Sequence, residues 1–226
     1  MKFQATRYIR VLLAVFGMVC VSNALAVLDT ETYGFYNITH NSINNAATGE
    51  AQLSVAVSDR GSMTTGDGTF NLVGFKFNNS GPTDCVITEI YFQDGSMLSF
   101  ASIDESLAGV DFKQDEIGSI GPENLPGGNA LTPAFTATTL FSMEPVNPGP
   151  YWGVGPGEWV EIVYSLQAGK VYTDIIDELD NADLRIGIHV QSFADDGSES
   201  FVNVPEPMTL ILLGLGGLTL RKRRNV

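Results

Sequence analysis

The sequence predicts an all-β body, a two-sheet antiparallel sandwich in jelly-roll order with one short helix, set between an apolar helix at each end of the chain. Three observations carry that reading. Apolar and polar residues alternate over short runs, as half-buried strands require. Clusters of Gly, Asn, Asp and Pro separate those runs, and helical periodicity shows clearly only once between Val27 and Asn203.

Taken in order, Leu53, Val55 and Val57 form the first alternating run. Thr69 to Asn78 carries Phe70, Leu72, Val73, Phe75 and Phe77, and Val86 to Phe92 carries Ile87, Ile90 and Tyr91. That density suits core strands covered on both faces. Shorter strands are expected at Met97–Ser102, Gly109–Lys113, Phe135–Phe141 and Glu199–Val202. Val160, Ile162 and Tyr164 interleave with Glu161 and Val163, and Leu184, Ile186, Ile188 and Val190 alternate most cleanly. Turn signals lie at Asp59-Arg60-Gly61, Gly66-Asp67-Gly68, Asn79-Ser80-Gly81-Pro82, Asp94-Gly95 and Asp196-Gly197. The helix is expected over Val171–Asp180, where Tyr172, Ile175, Ile176 and Leu179 share a face and Thr173 or Asp174 is available to cap the start. Gly118–Pro133 and Glu144–Gly157 are rich in Gly and Pro and read as long ordered loops.

Both chain ends carry transit signals. Lys2, Arg7 and Arg10 form a basic region, Val11 to Val21 an apolar one, and Ala24-Leu25-Ala26 a small-residue cleavage site, the layout of a secretory signal peptide spanning residues 1–26. Signal peptidase would cut after Ala26. Cys20 follows Val19, where a lipoprotein signal wants a small residue, so that alternative is set aside. At the other end, Val204-Pro205-Glu206-Pro207 precedes an apolar run from Met208 to Leu220 and the basic cluster Arg221, Lys222, Arg223 and Arg224. The prolines favour an extended, accessible backbone. As a helix the apolar run spans roughly 20 Å against a bilayer core of about 30 Å, short for a durable anchor. The basic cluster should remain cytoplasmic, which places the body outside.

The C-terminal segment, residues 204–226, resembles the PEP-CTERM sorting signal of bacterial exported proteins. The resemblance implies that Pro205, Glu206 and Pro207 are recognised by the membrane enzyme exosortase, and that the transmembrane sorting helix is removed after export. An ordinary single-pass anchor behind a proline-rich stalk is the alternative. Leu184–Phe193 with Asp196–Asn203, Asn124–Asn129 and Gly34–Thr39 also look like segments that recur in PEP-CTERM proteins, which implies one body domain, residues 27–203, but no activity. The family context implies a Gram-negative-type envelope, exopolysaccharide as a partner, and a matrix or biofilm role.

Without the two ends, the body holds 5 basic and 25 acidic residues, a net charge of about −20. Such a surface repels nucleic acid and anionic lipid and favours solubility. Cys85 is the body's single cysteine, so no disulfide within it can form and packing must hold the fold.

Residues able to do chemistry are sparse. His40, His189 and Cys85 could in principle supply a Cys–His pair, but His189 lies opposite the apolar face of its strand and Cys85 opens an apolar strand. No G-x-S-x-G frame is present. Glu158 and Glu161 beside Trp152 and Trp159 are the candidate carboxylate pair of a glycoside-active enzyme. Tyr151, Trp152 and Trp159 are the candidate glycan contacts of a carbohydrate-binding module, since indole and phenol rings stack on sugars. Asp195-Asp196-Gly197-Ser198-Glu199 groups hard oxygen ligands suited to calcium, though a solvated hairpin turn explains it equally well. The leading expectation is a non-enzymatic, exported, exosortase-sorted protein of the cell surface or extracellular matrix, needing no cofactor and no metal.

Overall fold

Ten strands and two helices follow one another in the computed structural model, which describes residues 29–95, 98–104, 109–114, 124–138, 141–146 and 150–203. They are β1 (Thr30–Asn37), α1 (Ile43–Gln52), β2 (Leu53–Thr65), β3 (Gly68–Asn79), β4 (Val86–Gln93), β5 (Leu98–Asp104), β6 (Phe112–Gln114), β7 (Ser142–Pro145), β8 (Trp159–Leu166), α2 (Tyr172–Asp180), β9 (Arg185–Gln191) and β10 (Glu199–Asn203). Single 3-10 turns stand at Gly128–Ala130 and Pro150–Trp152.

All neighbouring strands are antiparallel, in the order β5-β8-β3-β2-β1-β10-β9-β4-β7-β6. β1 is the corner. Its first half, Thr30 to Gly34, pairs with β2, and its second half, Phe35 to Asn37, pairs with β10. The body is therefore all-β, and the two faces expected from separate sheets belong to one sheet that curls back on itself. Phe92 of β4 closes the space between the limbs. Its ring centroid lies 5.0 Å from Phe75, 6.0 Å from Phe77 and 5.1 Å from Tyr164, all edge-on. Such aromatic pairs add about 0.5–1.5 kcal/mol each beyond the area they bury.

β1, β2 and β3 are successive neighbours, as are β9 and β10, and β10 returns to lie beside β1. The short connections across Gly66-Asp67 and Ser192–Ser198 set this order locally. The strand expected over Phe135–Phe141 is corrected: β7 begins at Ser142, and Phe135 to Thr138 run as irregular chain across the outer face of the sheet. Phe135 is fully buried there with Leu125, Ala137, Ile38, Tyr91 and Val202, a small second core. Its apolarity is real, but a loop rather than a strand buries it. Arg185 holds that loop through Nη1 to the Pro133 carbonyl at 2.9 Å and Nη2 to the Ala134 carbonyl at 2.5 Å.

α2 follows expectation, with Tyr172, Ile175 and Leu179 buried. The Asp174 carboxylate accepts the Val171 N–H at 2.9 Å, and an acid in the first turn also suits the helix dipole. α1 was not expected, because Ile43–Gln52 carries no apolar stripe. It forms because the Ser42 hydroxyl caps the Asn45 N–H at 3.4 Å and because Gly49 admits the Phe201 ring against the helix backbone. A β-carbon at Gly49 would lie 2.2 Å from Phe201 Cζ.

Candidate functional site

Glu199 is a densely bonded polar side chain, the acceptor of four hydrogen bonds. β10 opens with it, and the chain between β1 and α1 folds over it. Fully buried, it accepts hydrogen bonds from Asn37 Nδ2 at 3.0 Å, Thr39 Oγ1 at 2.5 Å, Asn41 N at 3.2 Å and Ser42 N at 2.6 Å. Burial alone would raise its carboxyl pKa. The bonds from Thr39, Asn37, Asn41 and Ser42 outweigh that and hold it below the usual carboxylate range. The charge also lies at the N-terminus of α1, where the helix dipole favours an anion.

A second polar row adjoins it. Ser200 pairs across strands with His189, and His189 with Glu89, so a hydroxyl, an imidazole and a carboxylate stand side by side on β10, β9 and β4. His189 Nδ1 and Ser200 Oγ share a hydrogen bond at 3.0 Å. Tyr91 donates its hydroxyl to Glu89, and Ser200 N–H donates to Thr39 Oγ1 at 2.9 Å. Burial lowers the His189 pKa, while Glu89 and Glu199 pull it the other way. The set has the composition of a hydrolytic triad, but Ser200 is fully buried and no carbonyl carbon can approach its hydroxyl. Its chemistry here is that of a satisfied cross-strand ladder.

Two open concavities lie at the β9–β10 turn. One of about 320 Å³ is lined by Asp84, Cys85, Pro156, Ser192, Phe193 and Asp196, among others. Its neighbour, about 270 Å³, is lined by Pro150, Gln191, Ser192, Asp196, Gly197 and Ser198. Tyr151 and Trp152, 87% and 38% exposed, follow Pro150 in its 3-10 turn. That turn is fastened to the sheet by the Asp111 N–H on the Trp152 carbonyl at 3.0 Å and by reciprocal bonds between Val154 and Ile87, both 3.0 Å. Trp159 belongs to a different element. It lies on β8, with Lys76 Nζ 3.6 Å above its ring, so one indole face is already covered by an ammonium.

The carboxylate pair does not converge. Glu158 precedes β8 in a turn, whereas Glu161 lies within the strand. Glu158 Oε2 accepts the Gly155 N–H at 2.7 Å and closes a turn. Glu161 is buried and gripped by the Arg60 guanidinium, with Nε 2.9 Å from Oε1. Cys85 Sγ accepts Gln52 Nε2 at 3.0 Å, and burial pushes its thiol pKa up, the opposite of an activated thiolate. His40 and His189 are not its partners.

At the acidic turn, Asp195 Oδ1 accepts Asn45 Nδ2 at 2.8 Å and the Gly197 N–H at 3.0 Å, and these bonds lower its pKa. Glu199 points inward, away from the turn. Among the described residues no group of three His, Cys, Asp or Glu side chains is placed to hold a metal ion.

Ala24 and Ala26, Pro205, Glu206 and Pro207, and Arg221, Lys222, Arg223 and Arg224 lie outside the described residues. Among the described residues no helix is long and apolar enough to cross a membrane. The Glu199 cluster was invisible in the sequence, because its donors at 37–42 are about 160 residues away. Comparison with protein-family models, curated proteins and solved structures returns no match.

Proposed function

We propose that this is an exported protein, sorted to the cell surface or extracellular matrix through its C-terminal segment, with a body that acts by binding and not by catalysis. In this reading residues 1–26 are a signal helix for signal peptidase, and 208–220 a transmembrane helix that exosortase removes after reading Pro205-Glu206-Pro207. The observation that carries it is the run of motif, short apolar segment and basic cluster from Val204 to Arg224. The body supports the non-catalytic half. Glu161, Glu199, Ser200 and Cys85 are buried and bonded to Arg60, to Thr39 and its neighbours, to His189 and to Gln52. Mass spectrometry of the protein recovered from the cell surface tests the proposal. The expected chain starts at Val27 and ends near the proline motif; a surface chain intact through Val226 would remove the sorting half.

A carbohydrate-binding role is the second reading, favoured by the exposure of Tyr151 and Trp152 on the turn that opens with Pro150 at the 270 Å³ cleft. Gln191, Ser192 and Ser198 bring hydrogen-bonding groups to that cleft, and exopolysaccharide is the partner it would take. Retardation of the purified protein in polysaccharide-containing native gels, compared between the unaltered chain and Trp152→Ala, checks it.

A further inference from the structure

The β2–β3 hairpin outruns the sheet that holds it. Among the described residues β1 accompanies β2 over Ser54–Ser58, and β8 accompanies β3 over Leu72–Asn78. Beyond a register shift between Asp59 and Ser62, the two strands continue with no third strand beside them among the described residues, pairing Ser62 with Asn71, Met63 with Phe70, Thr64 with Thr69 and Thr65 with Gly68. Residues 60–69 are all exposed. Four residue pairs at about 3.3 Å per residue carry the tip roughly 13 Å from the body.

A two-stranded ribbon with both faces in water is marginal by itself. Natural sheets protect projecting edges with charge or proline. This arm has neither guard. From Gly61 to Phe75 the only charged residue is Asp67, in the turn, and there is no proline. The arm is also two-sided. Met63, 42% exposed, and Phe70 share one face, while the Thr64 and Thr69 hydroxyls meet at 3.0 Å on the other.

Charge selects the occupant. A body with 5 basic and 25 acidic residues repels another copy of itself almost everywhere, and a cationic partner would be drawn to those acids rather than to a ribbon whose one charge is Asp67 in its turn. The arm is where two copies can touch while their charged bodies stay apart. We propose that the Ser62–Asn71 arms of two copies pair edge to edge about a two-fold axis, making a four-stranded sheet with Met63 and Phe70 of both on one face. The pairing is independent of the sorting proposal, since it does not involve either chain end.

The test uses the full chain with Cys20→Ala, in which Cys85 is buried, carrying either Thr64→Cys in the arm or Thr173→Cys on the exposed side of α2. On mild oxidation the arm cysteine should give a disulfide-linked homodimer and the α2 cysteine should not. Sedimentation in detergent should show the unaltered chain at twice the monomer mass, and Thr64→Lys/Thr69→Lys at the monomer mass with its circular dichroism retained. Equal cross-linking at both positions, a cross-link to a different polypeptide, or a double-lysine protein that stays dimeric would each overturn the proposal.

Discussion

Gly187 lies directly beneath Leu125: a β-carbon on it would stand 2.6 Å from Leu125 Cδ2 and 3.1 Å from Phe135 Cζ. The 124–138 loop can lie on the outer face of β9 because that position has no side chain. Gly187→Ala should therefore lift the loop and destabilise the protein by about 1–3 kcal/mol, as overpacking of a filled core does. Limited proteolysis should find new cleavage within 124–138 before the sheet itself unfolds.

Glu199→Gln keeps the shape of the side chain but turns an NH2 group toward donors. At least one of Asn37, Thr39, Asn41 and Ser42 then loses its acceptor inside the protein. The expected cost is about 2–4 kcal/mol, read as a lower urea midpoint with an unchanged slope. Glu199→Asp, which keeps the charge but withdraws it, should cost less than Gln.

Acid should weaken the fold in two steps. His189 has a pKa lowered by burial from its ordinary 6.5, so the unfolded chain takes up the proton first, and stability is lost as pH falls from about 6.5 toward the folded value. Glu199 is also depressed, from 4.5, so its contribution is present above that value and is lost as pH falls through the lower folded pKa. Thermal melting between pH 7.5 and 3 should show both losses. In His189→Gln the first should flatten while the second remains.

Arg60 and Glu161 join the bulged end of β2 to β8, with the Arg60 side chain 38% exposed and that of Glu161 only 4% exposed. Arg60→Met strands a carboxylate under the sheet surface and should cost about 1–3 kcal/mol, discounted for the solvent that reaches the guanidinium. Adding Glu161→Gln should recover part of that loss, because the stranded charge goes with it. A double-mutant cycle by urea denaturation measures the difference.

Much of the sheet was legible along the chain. The period-2 runs at Leu53–Val57, Val160–Tyr164 and Leu184–Val190 each became β2, β8 and β9, since alternation is a local consequence of half-burial. The stripe Tyr172, Ile175, Leu179 became α2 for the same kind of reason. α1 left no such trace, because Ser42 and Gly49, not an apolar face, hold it in place. Phe135 misled for the opposite reason: apolar residues read as strand when a loop buries them.

By itself the sequence determined the all-β class of the body, most of its strands, its acidity and its single cysteine, because these depend on composition or on neighbours a few positions apart. Only the tertiary structure decided that β1 turns the corner of one continuous sheet, that Glu161 faces Arg60 instead of water, and that Glu199 gathers its donors from the far end of the chain. The Arg60–Glu161 pairing and the bonds to Glu199 join residues about 100 to 160 positions apart. No short-range pattern encodes such a distance, so the partner of a polar side chain is chosen only when the strands find their places.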